Sequence, residues 1–336
     1  MNSDFGTHAS RKRRILMRGL FFGVALVAPT ELLAQQRPKI WRIGLLDSGS
    51  SSTGIYAGFQ QGMRELGYVE GRNFNIQWRF AEGVYGRLPA LAADLVRSGV
   101  DVILAGTTLS VEAARQATST IPIVMAAVPD PVGEGFVARL SRPGGNITGL
   151  SNIVTEVSAK HLELLRAAIP KLSRVAVLVN PHNPSDSLIL EQIQGAAYSA
   201  RVKVVAVEAS TAPQIEAAFA VMSQSRSEAL IVAADSYFDM QRDQIAGLAV
   251  KNRVPAISSS REITQAGGLM SYGQNLAEHY RRAATYVDKI LKGANPSNLP
   301  VEQPTVLELI INRKTAKALG VIIPRELELR ADRVIE

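Results

Sequence analysis

The sequence predicts an α/β protein made of two doubly wound parallel-sheet halves in tandem. Three observations predict it. From Lys39 onward, short apolar runs of strand length alternate with segments patterned at helical spacing. The strand runs are apolar at most positions rather than at every second one, as expected where helices cover both faces of a sheet. The alternation restarts after Gly149 and runs on for a similar length, so the chain reads as two successive α/β halves.

In the first half, residues 40–46 form an apolar strand, 55–66 a helix closed by Gly67, and 74–80 a strand alternating at period two. Residues 88–97 are helical and end before Gly99. A buried strand at 100–104, a helix at 110–117 and a strand at 121–127 follow. The second half continues with helices at 157–168, 188–200, 214–223 and 241–251. Between them lie strands at 174–179, 203–207 and 229–234, with another at 255–258. A long helix at 276–291, a Pro-rich connection, a strand at 305–311 and a helix at 313–319 close the chain. Two such halves create a cleft faced by the carboxyl ends of both sheets.

The N-terminal stretch predicts where this fold works. The basic run Arg11-Lys-Arg-Arg14 precedes an apolar core at residues 19–28, a polar break at Pro29-Thr-Glu31 and the small residue Ala34. That is the order of an export signal. The core is about half of the roughly 20 apolar residues a bilayer span needs. A membrane anchor or buried N-terminal helix is the competing reading. Residues 1–34 are therefore expected to be a signal peptide cleaved near Ala34. Arg13-Arg14 with Leu16 leaves both the general secretory and the twin-arginine routes open.

Composition narrows the chemistry. The 336 residues contain no cysteine, which excludes thiol catalysis, Cys-based zinc sites, iron–sulfur clusters and disulfides. The formal charge is +7, of which residues 1–34 carry +3. The remaining charge is scattered, with no basic stripe interleaved with aromatics, so nucleic acid is not an expected partner. After the first strand, Gly44 and Gly49 have the spacing of a phosphate loop, but Ser50 stands where lysine is required. No dinucleotide fingerprint or nucleophile elbow occurs, and His161, His182 and His279 have no ligand partner at i+4. No catalytic constellation, metal site or cofactor is expected.

The loops after the strands share a polar character. Residues 47–54 are rich in hydroxyls and glycine and include Ser51, Ser52 and Thr53. Thr107 and Thr108 stand at a helix start; Asp130, Asn180, Asp235 and Tyr237 follow other strands. Free N–H groups and hydroxyls suit a carboxylate, and Asp130 and Asp235 suit an ammonium group. Tyr237 or Tyr272 would stack on an apolar portion. The same residue types also favour ordinary caps and turns.

A series of motifs in fixed order carries a family resemblance. They include Glu65-Leu-Gly-Tyr-Val-Glu-Gly-Arg72, Arg142-Pro-Gly-Gly-Asn-Ile-Thr-Gly149 and Ala266-Gly-Gly-Leu-Met-Ser-Tyr-Gly273, with Ile311-Asn-Arg-Lys-Thr-Ala-Lys-Ala-Leu-Gly320 near the end. Over nearly all of residues 38–336 the chain resembles periplasmic substrate-binding proteins of ABC transporters with the type I periplasmic binding protein fold. It looks like the subfamily whose better-understood members take aromatic amino acids. The resemblance implies a three-stranded hinge, at residues 150–156, 272–275 and 295–301. It implies an N-terminal lobe of residues 38–151 plus 274–297 and a C-terminal lobe of 152–273 plus 301–336, with Asn152 joining the ligand-binding set. It further implies a monomer with a small-molecule solute and an inner-membrane ABC transporter permease as partners. The family often carries a lipid-anchor cysteine that this chain lacks, and loops 48–53 and 235–238 are the least family-like. Two other classes compete: an exported α/β enzyme using the same cleft, and a transcription regulator's effector domain, which needs a DNA-binding segment where this chain has its export signal.

Overall fold

A computed structural model describes residues 39–52, 54–303 and 305–336, apart from the side chains of Thr155 and Glu156. The export signal expected over residues 1–34 lies outside the described residues, as does Thr53. Residues Lys39–Glu336 form one compact unit.

The first part of the chain runs β1 (Trp41–Asp47), α1 (Tyr56–Glu65), β2 (Phe74–Phe80), α2 (Leu88–Arg97), β3 (Val102–Ala105), α3 (Thr108–Ala117), β4 (Ile123–Val128) and β5 (Ile147–Ser151). These strands form a five-stranded, wholly parallel sheet in the order β2-β1-β3-β4-β5. Alternate residues of β1, β3 and β4 enter two different cores. Ile43 and Leu45 of β1 pack with α1, while Leu46 packs with Leu88, Ala92 and Leu95 of α2. This is why the strand sequences are apolar almost throughout.

The chain continues with α4 (Val154–Ala168), β6 (Arg174–Val179), α5 (Pro184–Ala200), β7 (Lys203–Glu208), α6 (Ala212–Gln224), β8 (Ala229–Val232), α7 (Ser236–Met240), α8 (Arg242–Lys251), β9 (Ala256–Ser258), α9 (Arg261–Ala266), β10 (Met270–Gly273), α10 (Leu276–Leu291), β11 (Glu308–Asn312), α11 (Arg313–Leu319), α12 (Arg325–Leu329) and β12 (Arg333–Ile335). A seven-stranded sheet has the order β12-β11-β10-β9-β8-β6-β7. Within it only the β10–β11 pair is antiparallel. Helix α10 lies against the first sheet, with Tyr280, Ala283, Ala284 and Val287 in the core that holds Ile43 and Leu45.

Most expected elements are present with shifted ends. Helix α3 starts two residues earlier than its pattern, because Thr107 caps it by accepting the Ser110 N–H at 3.3 Å. Strands β5 and β10 are not among the strands expected from the sequence, since both contain glycine and short polar residues. Their backbones are nevertheless paired in the sheets and most of their side chains are buried. The short elements α7, α9, α12 and β12 carry too few residues to establish a period.

Candidate functional site

Strand order reverses between β1 and β3 in the first sheet and between β6 and β8 in the second. Loops leaving neighbouring strands there run to opposite sides and open a crevice at the strands' carboxyl ends. Asp47 at the end of β1, Gly49 just after it, Gly106 and Thr107 after β3, and Asp235 and Ser236 after β8 all line one cavity. Its volume is about 130 Å³, room for roughly ten water-sized spheres. A smaller cavity of about 70 Å³, lined by Tyr85, Thr108 and Pro129, adjoins it and shares Thr107, Asn152 and Asp235.

The first-sheet wall is aromatic with a buried acid. Tyr56 of α1 and Tyr280 of α10 meet edge-on at 5.2 Å between ring centres, and Tyr56 also packs on Phe80 and Trp78. The Tyr280 hydroxyl donates to Asp47 Oδ2 at 2.7 Å, and the Gly49 N–H donates to Oδ1 at 2.8 Å. Burial pushes the Asp47 carboxyl above its ordinary range, against these donors. Gly106 is required beside this pair: a Cβ there would stand 1.7 Å from Asp47 Oδ2 and 2.2 Å from the Tyr280 oxygen.

The opposite wall holds Asp235, Asp239, Ser260 and Glu262. Ser260 Oγ donates to Glu262 Oε2 at 3.1 Å. Burial pushes Asp239 up to about 7; a hydrogen bond with Ser260 opposes this and the Glu262 charge adds to it. Two crossover residues complete the lining. Asn152 donates to the Ala127 carbonyl at 3.1 Å. Gln274 presents a buried Nε2 with no hydrogen-bond partner. No Lys, Arg or His is among the described residues lining the cavity.

Hydrogen bonds join the two sheets' loops across the cleft. Ser48 and Ser236 hydroxyls lie 2.9 Å apart. Tyr85 donates to Asp235 Oδ2 at 2.7 Å and accepts from Asn180 Nδ2 at 3.3 Å. Asp235 also caps α7, its Oδ1 accepting the Tyr237 N–H at 2.9 Å, and accepts from Asn180 and Asn183. Behind it, burial and then the Asp235 charge push Asp186 up to about 9.

Of the residues singled out from sequence, Thr107, Asn152 and Asp235 line the main cavity and Thr108 the smaller one. Asn180 is buried behind them, holding Asp235. Ser51 and Ser52 are exposed outside both cavities, because the loop's inward-facing positions are taken by Ser48 and Gly49. Asp130 is also exposed, its Oδ1 closing a turn on the Gly133 N–H at 2.8 Å. Tyr237 lies against Gly83 and the core around Phe238. Tyr272 belongs to β10, with its ring against the core between the second sheet and α4. Asp47, Tyr56, Asp239, Glu262, Gln274 and Tyr280 were not singled out. Asp47 heads a loop read for its hydroxyls, and the others sit in or beside helices whose orientation only packing reveals.

His161 and His279 are core residues. His161 Nε2 lies 2.7 Å from the Tyr272 carbonyl, and burial pushes its pKa down to about 4. Among the described residues no group of His, Cys, Asp and Glu is placed to hold a metal ion, and no helix is long and apolar enough to cross a membrane.

Comparison with known proteins follows the same line. The chain is 29% identical over 262 residues to a tyrosine-binding protein of Clostridioides difficile (strain R20291), covering 78% of this chain and 75% of that one. It superposes with a TM-score of 0.81 on an ABC domain in complex with L-Trp from Streptococcus pneumoniae, at 26% identity, covering 88% of this chain and all of the other. The ligand-free, open structure of a substrate binding protein with adhesive properties from Clostridium difficile superposes at 0.63, with 25% identity and coverage of 88% and 99%. The model of the family described as ABC transporter substrate binding protein matches residues 43–335. With that match running through both sheets and every loop of the cavity, the chain belongs to the ABC transporter substrate binding protein family.

Proposed function

We propose that this chain is the periplasmic solute-binding component of an ABC importer and captures an aromatic, amino-acid-like solute between two lobes. The lobes are residues 38–151 plus 274–297 and 152–273 plus 301–336. Residues 1–34 act as the export signal, and the protein meets its permease as a monomer. The observation that carries this reading is the cleft cavity walled by Tyr56 and Tyr280 on one side and by carboxylates on the other. Its size suits a single small solute.

Lobe closure is part of the proposal. The bonds from Ser48 to Ser236 and from Tyr85 to Asp235 close the cleft over the cavity. Two relatives of nearly equal identity differ in superposition, the L-Trp complex at 0.81 and the ligand-free open form at 0.63. That difference supports reading this arrangement as the closed state. Ligand and closure then stabilise each other, and the permease reads the closed form. The test is isothermal titration of the purified protein with L-tyrosine and L-tryptophan, beside a sugar and a nucleoside. Saturable binding of an aromatic amino acid is expected. Binding of only the sugar or nucleoside would sink the amino-acid reading while leaving the family intact.

A further inference from the structure

The carboxylates of the cavity are not equivalent. Asp47 and Asp235 are engaged by protein donors on both oxygens. Asp239 and Glu262 share only Ser260 between them. Neither has an ion-pair partner among the described residues. Arg242 donates to the Asp239 backbone carbonyl at 3.1 Å, and Arg261, next to Glu262 in sequence, lies 3.7 Å from Glu308. Two neighbouring carboxyls over a cavity with no cationic side chain leave a charge that a ligand cation would neutralise. Gln274 independently marks the cavity as shaped for a polar ligand, because its buried amide nitrogen has no protein acceptor.

We propose that Asp239, Ser260 and Glu262 form the subsite for a cationic nitrogen of the solute, so that the cavity selects ligands by their ammonium group. This rests on the reading that the cavity holds the transported solute. It moves the ammonium contact from Asp130, which is exposed, and Asp235, which is saturated, to two acids of the α7–α9 region. The solute's carboxylate is then dispensable and its ammonium is not.

A charge series tests this. L-tyrosine, tyramine and 3-(4-hydroxyphenyl)propionate share a ring and differ in charged groups; L-tryptophan, tryptamine and indole-3-propionate form a second set. By titration calorimetry, the amines bind along with the amino acids, and the acids bind at least a hundredfold more weakly. Glu262→Gln and Asp239→Asn each weaken amine binding more than tenfold, with circular dichroism and melting unchanged. Amine affinity also rises from pH 5.5 to 8, because Asp239 must lose its proton to meet the cation. Glu262 and Asp235 oppose that proton loss and Arg242 favours it. The Asp239→Asn protein lacks this rise. A propionate that binds as tightly as its amine overturns the proposal, as do two folded variants that keep full affinity. Silence from tyrosine and tryptophan with a response to an aliphatic diamine supports the subsite and overturns the aromatic reading alone. Silence from every amine overturns the subsite.

Discussion

At the scale of single residues, burial decides which side chains are chemically unusual. His161 is 2% exposed, in the core between α4 and the second sheet. Desolvation of its imidazolium outweighs the hydrogen bond to Tyr272 and depresses its pKa to about 4. The unfolded chain therefore takes up a proton below about pH 6.5 that the folded chain refuses until about pH 4. The His161 contribution to stability falls with acid across that window, by about 3 kcal/mol at roughly 1.4 kcal/mol per pH unit. His161→Gln keeps a donor for the Tyr272 carbonyl and cannot titrate. Subtracting the variant's denaturant-unfolding profile from that of the wild type should leave a loss of stability of about 3 kcal/mol as pH falls from 6.5 to 4. Parallel profiles would mean that His161 is not the acid-sensitive group. Asp186, held protonated up to about 9, acts with the opposite sign and is common to both proteins, so the difference isolates the histidine.

At the scale of elements, the pairing of α1 with α10 places the aromatic wall. Gly58 lets the helices touch: a Cβ there would stand 1.9 Å from the Ala277 carbonyl oxygen, a backbone atom that cannot swing aside. Gly58→Ala gains about 1 kcal/mol of helix propensity. It loses about 1–3 kcal/mol or more by forcing the helices apart, so the clash wins. Thermal unfolding should drop by several degrees, and ligand affinity should fall with it, because Tyr280 rides on α10. An unchanged melting temperature would show that the helices separate freely. Helix α10 was legible to the residue from its pattern at 276–291, since a 16-residue amphipathic stretch leaves little choice. Strands β5 and β10, at five and four residues, were not, because only their sheet neighbours distinguish a short polar strand from a turn.

At the scale of the whole molecule, the proposed lobe closure rests on the bonds across the cleft. Tyr85 contributes a hydroxyl to Asp235 and lines only the smaller cavity. Tyr85→Phe removes the bond to Asp235 and the weaker one accepted from Asn180, while Tyr85 itself is absent from the main cavity wall. A net contribution of about 1 kcal/mol for the bond to Asp235 alone gives at least a roughly fivefold loss of ligand affinity. Small-angle scattering of the ligand-free variant should show a larger radius of gyration than the wild type. Unchanged affinity and unchanged scattering would remove Tyr85 from the closing mechanism.

The sequence by itself determined the two α/β halves, the absence of thiol chemistry and the loops from which the site is drawn. Apolar periodicity and glycine or hydroxyl punctuation are local signals, and they lie along the chain in reading order. The tertiary structure alone decided which acids face the cavity. Asp47 comes from β1, Tyr280 from α10, Asp239 from α7 and Glu262 from α9. Their convergence depends on how helices dock on two sheets, and at each position the sequence offers an acid or tyrosine no different from those on the surface. Asp130, expected to suit an ammonium group, closes a turn, while Glu262, not singled out from the sequence, lines the cavity. Spacing along one chain reports the partners a residue has within a helix or strand. The partners it gains from elements far away in sequence are settled only when the layers pack.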